Sequence, residues 1–182
     1  MDITPNKQNG FTQFGFIIVV ILISILSVVA LNRMWAWRAE IEQTFIKTVS
    51  GNIRSALGMQ TAQLALHGKL KQLPQLAGTN PFSLLAQKPD QYLGELSADD
   101  PKTQQAGIWY FDTKQKALIY TIKHADDFRS TLKGRARIRL MIRLIYSDLN
   151  LNRRYDTGVD SIAGLDLVSL DDYHWEATKS GK

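Results

Sequence analysis

The sequence predicts an α+β fold, one long N-terminal helix packed on a small antiparallel β-sheet. Three observations predict it. No charged residue occurs between Phe11 and Leu31. Apolar residues then continue at helical spacing well beyond Leu31. Far downstream, Arg135 to Tyr146 alternates between two kinds of side chain, residue by residue. A helix repeats every 3.6 residues and a strand every 2, so the two patterns separate the two kinds of element.

The first element is the apolar run. From Phe14 to Leu31 only Gly15, Ser24 and Ser27 interrupt the aliphatic and aromatic residues. A helix crosses a bilayer with about 20 apolar residues, so the segment 11–31 is expected to be a membrane anchor. Trp35 and Trp37 follow the run directly; tryptophan favours the bilayer interface, and packing on neighbouring domains is the alternative for both.

Residues 32–73 read as an amphipathic continuation of the same helix. Ile41, Phe45, Val49, Ile53, Leu57 and Leu64 recur at near-helical spacing among Glu40, Glu42, Lys47 and Arg54. Gly51 and Gly58 each cost about 1 kcal/mol relative to alanine, so tertiary packing has to support this stretch. Prolines 74, 81, 89 and 101 with Gly78 and Gly94 then break every period, which makes 74–106 a turn-rich connecting loop. The sheet region is 107–182. Residues 108–111 and 117–122, joined by 112–116, read as a hairpin. In the run 135–146, Ala136, Ile138, Leu140, Ile142, Leu144 and Tyr146 share one face, and Arg135, Arg137, Arg139, Met141, Arg143 and Ile145 the other. That is a strand with one face on a core and one in water. A last strand is expected around 165–170.

Residues 1–10 are mostly polar with a single lysine, Lys7, and step abruptly into the apolar run at Gly10-Phe11-Thr12. A secretory signal would carry a small-residue cleavage site after its apolar region, and no such site follows Val28-Val29-Ala30. At Gly10-Phe11-Thr12, and along Phe16 to Leu31 without a gap, the chain resembles the type IV pilin and pseudopilin superfamily. The resemblance implies that 1–10 is a leader removed by prepilin peptidase after Gly10, and that the new N-terminal Phe11 is methylated. It also implies a single-pass inner-membrane protein with a periplasmic C-terminal domain, which can pass into a surface pilus. Its partners would be other pilin-like subunits, the peptidase and the inner-membrane assembly platform.

Three positions depart from the family. Gly15 stands where the family usually has a glutamate, Ser24 where it often has glycine, and Asn32 where it often has proline. Without that proline no kink is expected between the two parts of the helix. The family's glutamate is thought to pair with a neighbour's terminal ammonium inside the bilayer, where charge pairs are strong. Gly15 has no carboxylate for this role. Either the chain occupies a filament position with no preceding subunit, such as a tip, or it is a peripheral, assembly-only relative. One signal opposes the topology, because Arg33, Arg38 and Lys47 follow the span and the positive-inside rule would hold them in the cytoplasm.

Two clusters are candidate sites. Arg135, Arg137, Arg139 and Arg143 could meet an acidic subunit or nucleic-acid phosphates; a solvated strand face is the plainer reading, and no aromatic residue interleaves there to stack a single strand. Nucleic acid is therefore not expected as a partner. Asp148, Asn150, Asn152 and Asp156 place oxygen ligands at the alternate positions of a calcium loop. Arg153 stands where such loops want glycine, and an Asx-rich turn needs no ion. Calcium is the one cofactor this pattern raises. The net charge of +5 suits either an acidic partner or an ordinary basic surface. Cysteine is absent, so thiolate chemistry and disulfides are excluded. His67, His124 and His174 lack metal-ligand spacing, and no catalytic signature is present; an enzyme is not expected.

Further downstream, Trp109-Tyr110-Phe111-Asp112, Arg143 to Asp148 and Gly164 to Leu167 are similar to MshF-type minor pilin-related proteins of the mannose-sensitive haemagglutinin pilus system. That implies a part in pilus biogenesis and surface attachment. A minor pseudopilin of a type II secretion machine and a DNA-binding pilin of an uptake pilus are the alternatives.

Overall fold

The apolar run and the stretch after it form one helix, α1 (Gln13–Leu66, 54 residues). The computed structural model describes residues 13–176, with the backbone alone described for residues 32–36. The expected leader 1–10 and its processing residues Gly10 and Phe11 lie outside the described residues, as does the side chain of Trp35. The chain divides into two units, Met1–Arg38 and Ala39–Lys182. In the first, Gln13–Leu31 is long and apolar enough to cross a membrane, and none of it is buried within the chain. At 1.5 Å per residue its 19 residues rise about 28 Å, close to the thickness of a hydrocarbon core. The helix is unbroken through Asn32.

The helix stops at Leu66, short of the expected Leu73. Gly68 takes φ 67°, its N–H donates to Ala65 O, and Lys69 N–H donates to Leu64 O. Those paired bonds form the glycine-terminated helix end in which a left-handed residue satisfies the last carbonyls. A 3-10 turn at Leu70–Leu76 then carries Leu73 into the core.

The fold is α+β, and its sheet is mixed. Its strands are β1 (Tyr92–Leu96), β2 (Trp109–Asp112), β3 (Ala117–Thr121), β4 (Phe128–Ser130), β5 (Arg137–Ser147), β6 (Ser161–Ser169) and β7 (Tyr173–Trp175). Five of them form one sheet in the order β1-β2-β3-β5-β6, and β4 pairs with β7 apart. Two expectations are corrected. The sheet is not wholly antiparallel, because β1 runs parallel to β2. The stretch 74–106 is not simply a loop, because it supplies β1 and two 3-10 turns, Pro81–Leu84 and Pro101–Gln104. Both turns begin on a side-chain cap: Asn80 Oδ1 accepts from Phe82 N–H, and Asp100 Oδ1 from Lys102 N–H.

Within the second unit, Ile46, Val49, Ile53 and Leu57 of α1 cover one sheet face, meeting Trp109, Phe111, Leu118, Tyr120, Ile138, Leu140, Ile142 and Leu167. Burying such side chains contributes roughly 1.5–3 kcal/mol each, so this face dominates the stability of the unit. β2 and β3 are buried on both faces, since Ile108, Tyr110, Ala117 and Ile119 form a second cluster with Leu96 and Leu170. β5 alternates as its sequence predicts, with Ile138, Leu140 and Ile142 inward.

Candidate functional site

Beyond Arg38, α1 presents two faces of opposite character. The inward face carries one charge, Glu42, whose side chain is 5% exposed. Its carboxylate accepts from Tyr120 Oη at 3.0 Å, Lys123 N at 2.6 Å and His124 N at 2.8 Å, and lies 3.0 Å from His124 Nδ1. A buried carboxylate is tolerated only when so compensated. Burial first, and then the Glu42 charge, push the Tyr120 phenol far above its ordinary value. The cluster locks the helix onto the turn that follows β3.

The outward face carries Ile41, Thr44, Thr48, Gly51, Ser55, Gly58 and Ala62, spaced alternately by three and four residues, and all are exposed. That spacing averages 3.5 residues, the period of a helix–helix seam. Ile41 therefore lies on the opposite face from the core residues with which its spacing had grouped it. A Cβ built at Gly51 or Gly58 meets nothing within 4 Å. Among the described residues nothing requires glycine at either place, although each weakens the helix. In the first unit, Phe14, Phe16 and Leu22 are more than half exposed, as is Leu26. Ser24, mid-span, donates its hydroxyl to Val20 O at 2.7 Å, so its polar group is satisfied within the helix.

The four arginines fall near one another on β5 and the turn before it, but they do not act as one free patch. Arg139 grips Asp171 through two bonds, Nε to Oδ2 at 2.7 Å and Nη2 to Oδ1 at 2.6 Å, and donates a third to Gln115 Oε1. The hydrogen bond from Arg139 holds the Asp171 carboxyl below the usual carboxylate range. Arg137 Nη1 donates to the carbonyls of Arg135 and Lys133. Arg143 sits opposite Asp166 across the β5–β6 ladder. Arg135 and Arg143 are exposed.

The structure brings Asp148, Asn150, Asn152 and Asp156 together in the β5–β6 loop, with Asp160. Asp148 accepts from the N–H groups of Asn152 and Arg153, and Asp160 from those of Leu149 and Asp156. Asp156 Oδ2 accepts from the side-chain amides of Asn150 and Asn152. The oxygens that a calcium ion would take are thus engaged with the loop's own donors. Among the described residues no group of three or more His, Cys, Asp or Glu side chains is placed to hold a metal ion. Sequence reasoning missed the Glu42 cluster, because nothing in a lone glutamate on a helix shows which turn will cover it.

Comparison of the chain with protein-family models, with curated proteins and with solved structures finds no match.

Proposed function

We propose that this protein is a minor pilin-like subunit of a type IV pilus assembly system, of the mannose-sensitive haemagglutinin kind, anchored in the inner membrane with its domain in the periplasm. The observation that carries this reading is the two-part surface of α1. Its first part is apolar and uncovered. Its second part docks on the sheet by one face and leaves on the other a seam at 3.5-residue spacing that is made of small residues after Ile41. A helix of that kind is suited to lie against helices of other subunits, where small residues permit close backbone approach. The Gly10-Phe11-Thr12 boundary supports the same reading through the processing it implies. The pilin-like description of the α+β fold rests on the same helix, laid by one stripe on an otherwise antiparallel sheet.

Mass spectrometry of the protein purified from cells with and without prepilin peptidase tests the proposal. The expected result is a species beginning at N-methylated Phe11 that appears only with the peptidase. Intact Met1 in both strains overturns the reading.

A further inference from the structure

The β5–β6 loop can be placed on the domain from the contacts of β6 with α1. Arg54 Nη2 donates to Leu167 O at 2.9 Å, and a Cβ added to Gly164 would lie 3.8 Å from Thr61 Cγ2. Numbering thus falls along β6 as it rises along α1. Ser147 and Ser161 close the ladder, so residues 148–160 emerge at the end of the domain where α1 terminates, away from Ala39.

Four aliphatic side chains stand in solvent at this pole: Leu66 at 86% exposure, Leu151 at 84%, Leu149 at 66% and Val159 at 50%. Lys69, Lys71, Arg153 and Arg154 are exposed with them. The loop's carboxylates are half-buried at Asp148, Asp156 and Asp160 and are bonded to its own N–H groups and amides. Lys69, Lys71, Arg153 and Arg154 are the exposed charges here, against three carboxylates that are drawn back into the loop. Leu151 and Arg153 hold left-handed backbone, φ 59° and 63°, a conformation costly for residues other than glycine. The hydrogen bond from Arg153 N–H to Asp148 fixes it. Bonds of this kind hold the tip to one shape, which lowers the ordering cost of docking.

We propose that this pole is a docking surface for a bilayer of anionic phospholipid. Leucine and valine are under-represented among the hot spots of protein interfaces, where tryptophan, tyrosine and arginine lead, and lysine is depleted there; of the favoured types the tip exposes only its two arginines. The tip's one aromatic residue, Tyr155, is half-buried against Tyr146. Projecting aliphatic side chains beside exposed lysine and arginine suit an interface where acyl chains receive the former and anionic headgroups the latter.

The test uses the full chain in nanodiscs of phosphatidylcholine, mixed with larger vesicles and separated by flotation. One set of vesicles is phosphatidylcholine alone and the other also contains phosphatidylglycerol. The chain is expected to float with the anionic vesicles about tenfold more than with the neutral ones, and raised salt should remove the difference. Leu149→Asp with Leu151→Asp, and separately Lys69→Glu with Lys71→Glu, should each reduce flotation about tenfold without changing the melting temperature. Equal flotation with both vesicles overturns the proposal, as does flotation indifferent to both variants. Capture of an acidic protein through these residues, with no vesicle binding, overturns it as well.

Discussion

At the scale of single residues, two buried or half-buried charges make the clearest predictions. Glu42→Ala would strand the Tyr120 hydroxyl and the N–H groups of Lys123 and His124, which the carboxylate now accepts. Each unsatisfied buried group costs about 1–3 kcal/mol, so a loss on the order of 3 kcal/mol is expected. Thermal melting followed by circular dichroism should fall by roughly 6–12 °C. Asp171 gives a pH dependence. Its carboxyl is held low by the hydrogen bond from Arg139, so the folded state binds a proton less readily than the unfolded one. The stabilisation is complete above the unfolded value of about 3.9 and is lost as pH falls through the folded value. Urea unfolding should show Asp171→Asn weaker than the parent by about 1 kcal/mol at neutral pH, with the gap closing below about pH 4. A gap that persists in acid would mean that Asp171 acts through packing rather than charge.

At the scale of elements, α1 carries the prediction that separates fold from assembly. Because a Cβ at Gly51 or Gly58 meets open space, Gly51→Ala and Gly58→Ala should each raise the stability of the isolated chain by about 0.5–1 kcal/mol. Gly51→Leu and Gly58→Leu should leave the fold intact and reduce piliation, scored by electron microscopy, because the larger side chains block close helix approach. Full piliation with both leucines would remove the seam from the assembly reading. The elements also show what the sequence could disclose. β5 was legible because its inward residues, Ile138, Leu140 and Ile142, alternate without exception over a long strand. β1 was hidden because it spans only Tyr92–Leu96, holds Gly94 at φ 96° and shifts register between Tyr92 and Glu95. β4 and β7 are three residues each, too short for a period. The helix end was readable in principle, since Gly68 precedes a basic stretch and a proline. Leu66, Leu70 and Leu73, spaced by four and three residues as on a helix, concealed it. The arginine cluster was legible as a face but not as a network, because Asp171 reaches Arg139 from the far side of β6 in sequence.

At the scale of the whole molecule, the open conflict is between charge and processing. Arg33, Arg38 and Lys47 follow the apolar span, while Lys7 alone precedes it. Cationic flanks tend to stay in the cytoplasm, and on that rule the domain beyond Ala39 would be cytoplasmic. The proposed leader boundary at Gly10-Phe11 implies the opposite, because the peptidase of the resembled family cuts on the cytoplasmic face. The rule expresses a bias of a few charges near the span ends, and Asp and Glu contribute little to it. A leader recognised by a dedicated enzyme can outweigh such a bias. Alkaline phosphatase fused after Lys182 should therefore be active, since that enzyme folds only where disulfides form, and β-galactosidase at the same place should be inactive. Arg33→Glu with Arg38→Glu should leave the pattern unchanged if the leader governs insertion, and should raise phosphatase activity if the flank opposes it. A β-galactosidase fusion that is active, beside a silent phosphatase, would put the domain in the cytoplasm and end the pilin-like reading.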